Sequence, residues 1–338
     1  MSEPSTYIVT GGAGFVGSNC CAALSKARRE AQVICIDDFR VGSFRNLIEA
    51  YERHELGPVS CEVIAQDWTY LHAIIGDRPI GLVHMAAITD TTVDDQARML
   101  EDNAGPAWDG LLEAVSASGH RLVYASSAAT YGTPRQAADR TAFPLEAAGK
   151  PDNIYGFSKW VMENAHRRVQ RDDEDAWIVG LRFFNVFGPG ESSKGAMASM
   201  AYKLAQQMIA GRPPRLFAPG DQARDQVHVD DVVECVLSGL GLVSRKRPTP
   251  GVYNLGSGRA TTFNQVADAV REGLGVPPEA MPTEYFEMPE DIRRFYQDFT
   301  LADMSATEAG LGFSPGRDPV EAIRSYASYL RQRAGETP

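Results

Sequence analysis

Thr10-Gly11-Gly12-Ala13-Gly14-Phe15-Val16-Gly17 closes the short apolar run Tyr7–Thr10 and opens a stretch of helical composition. Gly11, Gly14 and Gly17 stand in a G-x-x-G-x-x-G spacing. Glycines at such a turn let the chain bend sharply, let a diphosphate approach backbone N–H groups, and let the helix pack tightly on the strand. Glycine patterns also occur in ordinary βα turns, so context decides. Here the loop lies between the first strand and a helix, and Asp37 ends the second apolar run 20 residues after Gly17. A carboxylate at that remove suits an adenosine ribose. The stretch predicts a dinucleotide site, with Gly11, Gly14, Phe15, Val16 and Gly17 under the diphosphate.

Working outward, short β-branched runs alternate with helical stretches: Tyr7–Thr10, Gln32–Asp37, Ser60–Ala65, Gly81–Met85, Arg121–Ser126 and Trp177–Arg182. That rhythm predicts an α/β protein with a doubly wound parallel Rossmann sheet. It breaks after Gly188-Pro189-Gly190. Met197–Ala210, Thr262–Leu274 and Pro319–Arg333 read as helices, with Gly211-Arg212-Pro213-Pro214 stopping the first. Val227–Val229, Val232–Leu242 and Val252–Leu255 read as a return to the main layer. The expected organisation is a dinucleotide-binding domain over 1–185, rejoined by 226–256. A smaller, discontinuous C-terminal lobe over 186–225 and 257–338 would cover the cleft at the strand ends.

Composition narrows the partners. A net charge of −11 disfavours sequence-independent binding to a nucleic-acid backbone. No apolar run approaches the roughly 20 residues that span a bilayer, and the polar start runs straight into a strand without a signal-peptide pattern. Five cysteines without a framework spacing suit a reducing cytoplasm. Cys20-Cys21 read as helix packing. No histidine stands in a metal-ligand spacing, and His228-Val229-Asp230 reads as structural.

At the adenosine end, Asp37 is placed to accept from the ribose hydroxyls and to repel a 2′-phosphate, which favours NAD. Asp38 strengthens that inference. Arg40 and Arg45 weaken it, being either a neutralising pair for the phosphate of NADP or solvated loop charges. Asp67, after the third strand, is a candidate for the adenine, and Ala86-Ala87 leave room for the cofactor.

The fifth strand ends Tyr124-Ala125-Ser126-Ser127-Ala128-Ala129-Thr130-Tyr131-Gly132, and Tyr155-Gly156-Phe157-Ser158-Lys159 follows downstream. Tyr155 and Lys159 at i, i+4 share one helical face. A free phenol near pKa ~10 is a poor base at neutral pH. A nearby ammonium and a positive nicotinamide would favour the phenolate. Ser127 is placed to orient the same sugar hydroxyl. Such an assembly suits hydride transfer between a carbinol and a nicotinamide.

On the glycine loop, the serine-bearing strand end and the Tyr-x-x-x-Lys pair, the chain resembles the extended short-chain dehydrogenase/reductase family over essentially its whole length. The resemblance implies that Ser127, Tyr155 and Lys159 form a catalytic triad, that Asn103 belongs to the cofactor-side network, and that Val186 lines the cofactor. It also implies nucleotide-sugar chemistry and a homo-oligomer. A more particular likeness is to the ADP-L-glycero-D-manno-heptose 6-epimerases. It rests on Tyr124–Gly132, Asn153–Lys159, Leu181–Pro189, Lys194–Met200, Leu216–Phe217, Arg224–Asp225 and Phe295–Ala302. In those enzymes the lysine of the Lys-Gly-x-Met-Ala-Ser segment serves as a second acid/base group opposite the tyrosine. This implies catalysis by Lys194 and substrate contacts at Ser127, Asn185, Ala196, Lys203, Phe217, Arg224 and Tyr296. Physically, Arg224 offers a fork to diphosphate oxygens.

Inversion itself gives a reason for two groups, because a proton donor placed for one epimer poorly serves the other. The plainer reading of Lys194 is a phosphate-binding or surface lysine. The chain departs from the heptose branch at Ala196, where a serine is usual, and at Lys203, where a histidine is usual. Gly42-Ser43-Phe44 also lacks a lysine that can meet a 2′-phosphate. The competing readings are another nucleotide-sugar epimerase, such as a 4-epimerase, a dehydratase, and a non-catalytic NAD(P)-sensing scaffold. Ala128-Ala129 after Ser127 disfavour the dehydratase, and the retained tyrosine and lysine disfavour the scaffold.

Overall fold

β1 (Thr6–Thr10) runs through the middle of a seven-stranded parallel sheet. The computed structural model describes residues 3–76, 78–133, 140–243, 247–290 and 296–336. Phe295 of the sequence reading lies outside them. The other strands of the sheet are β2 (Gln32–Ile36), β3 (Glu62–Ile64), β4 (Gly81–His84), β5 (Arg121–Ser127), β6 (Trp177–Phe183) and β10 (Gly251–Leu255). Their order is β10-β6-β5-β4-β1-β2-β3. The order reverses between β1, which pairs with β2, and β4, which returns to the other side of β1. In a doubly wound sheet the ligand crevice lies beyond the strand ends at that reversal, which here is the end of Thr10.

Every residue of β4 and the first six of β6 are buried. Such strands must carry apolar side chains on both faces, hence their near-continuous apolar sequence. On one face pack α1 (Phe15–Ala27), α2 (Phe44–Arg53) and α8 (Val229–Gly239), through Cys20, Leu24, Leu47, Tyr51, Val232 and Val236. On the other pack α5 (Pro106–Ser118) and α6 (Ile154–Asp172), through Trp108, Leu111, Leu112 and Met162. The short α3 (Leu71–Ile74) and α4 (Gln96–Ala104) lie in the connections before α5.

A second core joins α7 (Met200–Ile209), α9 (Phe263–Leu274) and α11 (Pro319–Glu336) through Leu204, Met208, Val266, Val270, Ile323 and Tyr326. Thr262 starts α9 with a capping box, its side chain and that of Gln265 exchanging backbone hydrogen bonds. α10 (Ser305–Leu311) packs beside β10. β7 (Asn185–Phe187), β9 (Ala223–His228) and β11 (Ala260–Thr262) make a three-stranded sheet, and β8 (Arg215–Phe217) pairs with β12 (Glu284–Phe286).

Within 226–256, β10 lies in the main sheet and α8 packs on α1. Gln226–His228, in contrast, finish a strand of the small sheet, and Val229 begins a helix. His228 is the N-cap of that helix, its side chain accepting from the N–H of Asp230. A local β-branched run therefore did not reveal which sheet it joins. All five cysteines are buried and unbridged. Among the described residues no helix is long and apolar enough to cross a membrane.

Candidate active site

The glycine loop is built without space for side chains. Gly11 has φ +64°, and a Cβ there would sit 2.7 Å from the Ala86 nitrogen. A Cβ on Gly17 would sit 2.0 Å from the Gly11 carbonyl oxygen. Gly14 caps α1 with no side-chain hydrogen bond, so no side chain of the cap occupies the first-turn N–H groups of Phe15, Val16 and Gly17. Bare helix N-termini of this kind bind phosphate oxygens. The cradle thus fits a dinucleotide. Ala86 and Ala87 follow β4 and are half-buried beside it.

Asp37 is only 7% exposed. Its Oδ2 accepts from the Ala13 N–H at 2.9 Å and its Oδ1 from the Phe39 N–H at 2.8 Å. Burial raises its carboxyl, while these donors oppose the rise. The same carboxylate thus ties the glycine loop to β2 and keeps lone pairs for a ribose. Arg40 binds Asp38 through Nε, and reaches Asp67 at 3.3 Å and Asp102 at 4.0 Å. Three carboxylates therefore compensate the guanidinium whose role the sequence left open. Asn103 links the chain after β4 to α6, accepting from the Ile88 N–H and donating to the Ile88 carbonyl and the Ser158 hydroxyl. It positions the walls of the crevice.

Ser127 ends β5 and caps a one-turn 3-10 helix, its Oγ accepting from the Ala129 N–H at 3.1 Å. Asn153 caps α6, and Tyr155 and Lys159 project from its first turns. The two elements touch at Gly156, where a Cβ would lie 2.6 Å from the Ala129 carbonyl oxygen. That approach sets the Tyr155 phenol beside Ser127, close enough for the serine to act on its pKa. Burial raises the phenol's pKa, and Ser127 works the other way.

Lys159, 2% exposed, donates to the Ala125 carbonyl at 2.9 Å. Burial lowers its pKa to about 7, against the pull of Glu163. The sequence reading had the ammonium lower the phenol. In the structure burial raises the phenol despite Ser127, and the Lys159 ammonium lies beneath β5 on the Ala125 carbonyl. Glu163 itself is fully buried, taking a two-pronged bond from Arg182 and one from the Ser126 hydroxyl.

Lys194 comes from another wall. It lies in the 3-10 segment Glu191–Met197, with its Nζ 5.3 Å from the Phe15 ring centre. Burial lowers its pKa, Glu191 raises it and Lys203 lowers it further. Glu191, fully buried, accepts from the Gly188 N–H, the Ser199 N–H and the Ser199 hydroxyl at 3.2, 2.7 and 2.9 Å. Asn46 donates both to the Ala13 carbonyl of the glycine loop and to Ser193, so this segment and the loop are fastened together. Val186 and Asn185 lie on β7 nearby, and Ala196 is exposed at the tip of the segment.

The far end gathers Phe217, Arg224 and Tyr296. The two rings meet edge-on at 5.5 Å, and the Arg224 guanidinium lies 5.3 Å from the Tyr296 ring centre. Arg224 also donates to Gln297, which donates on to the Gly132 carbonyl. Its Nε is buried without a protein acceptor among the described residues. Asp225 next to it is fully buried and accepts from the Ser257, Gly258 and Ala302 N–H groups.

Sequence reasoning missed Glu191, Asp225, Gln297 and Phe286, which packs 4.8 Å from Phe217. Asp225 and Gln297 each stood within a segment already singled out, and Glu191 lay between two of them. For Glu191 the available signal was a lone acidic residue directly after the Gly188-Pro189-Gly190 turn.

The model of the NAD dependent epimerase/dehydratase family matches residues 7–256. The chain belongs to that family. Among solved structures, the ADP-L-glycero-D-manno-heptose-6-epimerase of Helicobacter pylori is 32% identical, with 97% of this chain and 96% of that one covered at a TM-score of 0.81. The UDP-glucose 4-epimerase of Thermotoga maritima, in a structure with UDP-glucose, is 23% identical, with 97% and 99% covered at a TM-score of 0.79. The dTDP-glucose 4,6-dehydratase of Bacillus anthracis, in complex with NAD, is 18% identical, with 98% and 97% covered at a TM-score of 0.77. The last two likenesses concern the fold. The chain is accordingly a member of an NAD-dependent epimerase/dehydratase family, and its substrate is argued from the site.

Proposed function

We propose that this chain inverts the C6 carbinol of an ADP-linked heptose, with Tyr155 and Lys194 handling the proton on opposite faces of the sugar carbon. The observation that carries the reading is a second ammonium, separate from Lys159, fixed against the glycine-loop helix by a segment that Glu191 anchors. A family member using one tyrosine has no need of it. The 32% identity to the Helicobacter pylori heptose epimerase supports the same assignment.

A nicotinamide cofactor held by the glycine loop and Asp37 would supply the acceptance and return of a hydride at the carbinol carbon. Ser127 orients the hydroxyl, and Tyr155 as phenolate removes its proton. Lys159 holds the Ala125 strand end and the helix of Tyr155 in register. On the opposite face, Lys194 gives a proton to the carbonyl oxygen as the inverted carbinol re-forms, so one proton leaves and one returns. Burial favours the neutral amine of Lys194, and Glu191 favours its ammonium. The group is thereby suited to exchange a proton rather than hold one permanently.

Arg224, whose Nε has no acceptor among the described residues, suits diphosphate oxygens, and Tyr296 and Phe217 suit the nucleoside. Lys203, Asn185 and Ala196 complete the sugar side. Asp37 with the neutralised Arg40 favours NAD over NADP, because a 2′-phosphate would meet uncompensated carboxylate. A dehydratase would need acid and base next to Ser127, where Ala128 and Ala129 have neither.

Lys194→Met tests the assignment, since it keeps the stem and removes the ammonium. Turnover should fall on the order of 10²–10⁴-fold with cofactor still bound. A raised KM with kcat largely kept would instead make Lys194 a phosphate ligand.

A further inference from the structure

Three of the five cysteines meet behind the glycine loop. β2 and β3 run parallel, with Ile34 opposite Glu62 and Cys35 opposite Val63. Side chains alternate along a strand, so Cys61 falls on the same face as Cys35. α1 lays Cys21 in the same buried core as Cys35 and Cys61, and the two neighbouring thiols together with burial push its own thiol up. The cluster bears directly on the loop: the Cys21 thiol is 3.8 Å from the Gly12 carbonyl oxygen, and a Cβ on Gly12 would meet the Cys35 sulfur at 2.6 Å.

The three thiols differ in access. Cys21 and Cys35 are fully buried, whereas Cys61 is 8% exposed and lines a cavity of about 400 Å³ with Arg28, Arg29, Ser60 and Glu62. The neighbouring Cys21 lowers the Cys61 thiol to about 7, burial opposing and Tyr51 assisting. Thiolate character and access to solvent govern thiol reactivity, and of the three thiols Cys61 alone lines the cavity, beside Arg28 and Arg29. Cys20 and Cys235 are fully buried with raised pKa values, and so provide internal controls.

We propose that Cys61 is a peroxide-reactive site that closes a disulfide with Cys21, and that this bond displaces the glycine loop and weakens cofactor binding. The Cys61 thiolate attacks one oxygen of a small hydroperoxide. The O–O bond breaks, the second oxygen leaves and takes up a proton as water or an alcohol, and Cys61 becomes a sulfenic acid. The Cys21 sulfur then attacks the Cys61 sulfur, and the sulfenic oxygen departs as water with the Cys21 proton. Two thiols have lost two hydrogens and one peroxide has been reduced. Bringing the two sulfurs to a bond of about 2.05 Å draws α1 toward the sheet, against Gly12. The route depends on the loop holding NAD, not on which sugar is turned over.

The test uses the full-length protein treated with limiting hydrogen peroxide, alkylated under denaturing conditions and mapped by mass spectrometry. NAD affinity is measured in parallel. Cys61 should oxidise on the order of tenfold faster than Cys20 or Cys235 and appear linked to Cys21. NAD affinity should fall roughly tenfold and recover with dithiothreitol. Cys61→Ser should bind NAD normally and ignore the peroxide, while Cys21→Ser should stop at a sulfenic acid trapped by dimedone. Oxidation of Cys61 no faster than of Cys20 would overturn the site. A Cys21–Cys61 disulfide with unchanged NAD affinity would overturn its coupling to the loop.

Discussion

Gly156→Ala separates stability from catalysis more cleanly than a change at a reacting group. The added Cβ would lie 2.6 Å from the Ala129 carbonyl oxygen and 3.0 Å from the carbonyl carbon and from Pro151. Ordinary van der Waals contact begins near 3.4 Å, so α6 must back away from the Ser127 turn by about 0.8 Å. Both close atoms belong to the backbone of the turn, which cannot rotate aside. The helix gains about 1 kcal/mol of intrinsic propensity from Ala in place of Gly. The crowding costs roughly 1–3 kcal/mol, so net stability changes little or falls by up to about 2 kcal/mol. Catalysis has no such offset, because the shift acts on the placement of Tyr155 beside Ser127. A misplacement near 1 Å in such a site costs on the order of 10²-fold in rate. The assay pairs steady-state turnover of the nucleotide sugar with cofactor retention and a urea midpoint. Loss of turnover at near-normal stability with cofactor retained is expected. Wild-type turnover in a folded Gly156→Ala variant would refute the claim that this contact positions the tyrosine.

Tyr155→Phe should lose most turnover yet keep its cofactor, read by turnover alongside the nucleotide released on denaturation. Asp37→Ala should weaken NAD more than NADP. The loss for NAD should be roughly 10–100-fold, as expected for charge-assisted hydrogen bonds worth about 1.5–3 kcal/mol; titration calorimetry measures both. Lys159 makes a signed pH prediction. Its folded pKa is about 7, below the ordinary lysine value of 10.5. Between those limits the unfolded chain binds the extra proton, so this group makes stability rise with pH there. The cost of burying the ammonium is fully present below pH 7 and fades toward pH 10. The stability of Lys159→Met relative to wild type should therefore fall as pH rises through that window, in urea melts at several pH values. A flat difference would contradict the burial of the charge.

The fold was legible because its signals are local. The Gly11–Gly17 loop, the carboxylate at Asp37 and continuous apolar strands each encode a backbone demand within a few residues. Ser127, Tyr155 and Lys159 were legible for the same reason, through one strand end and one i, i+4 pair. What escaped depends on distant partners. The 3-10 segment bearing Lys194 is held by Glu191, Asn46 and Asn19, the last donating to the Pro189 carbonyl from α1. Val227 and His228 pair with β7 rather than with the main sheet, because an apolar strand suits either. Nor did spacing reveal that Arg40 is spent on Asp38, Asp67 and Asp102, since those three carboxylates converge only in the fold.

Incubating the purified protein in deuterated water with ADP-, GDP-, UDP- and CDP-linked sugars, and following stereochemistry by NMR, tests the central claim most directly. The account predicts inversion at C6 of the ADP-heptose with the hydrogen on that carbon retained, since the hydride removed is the one returned. Inversion only at C4 of another sugar, or solvent deuterium at the inverted carbon, would contradict it.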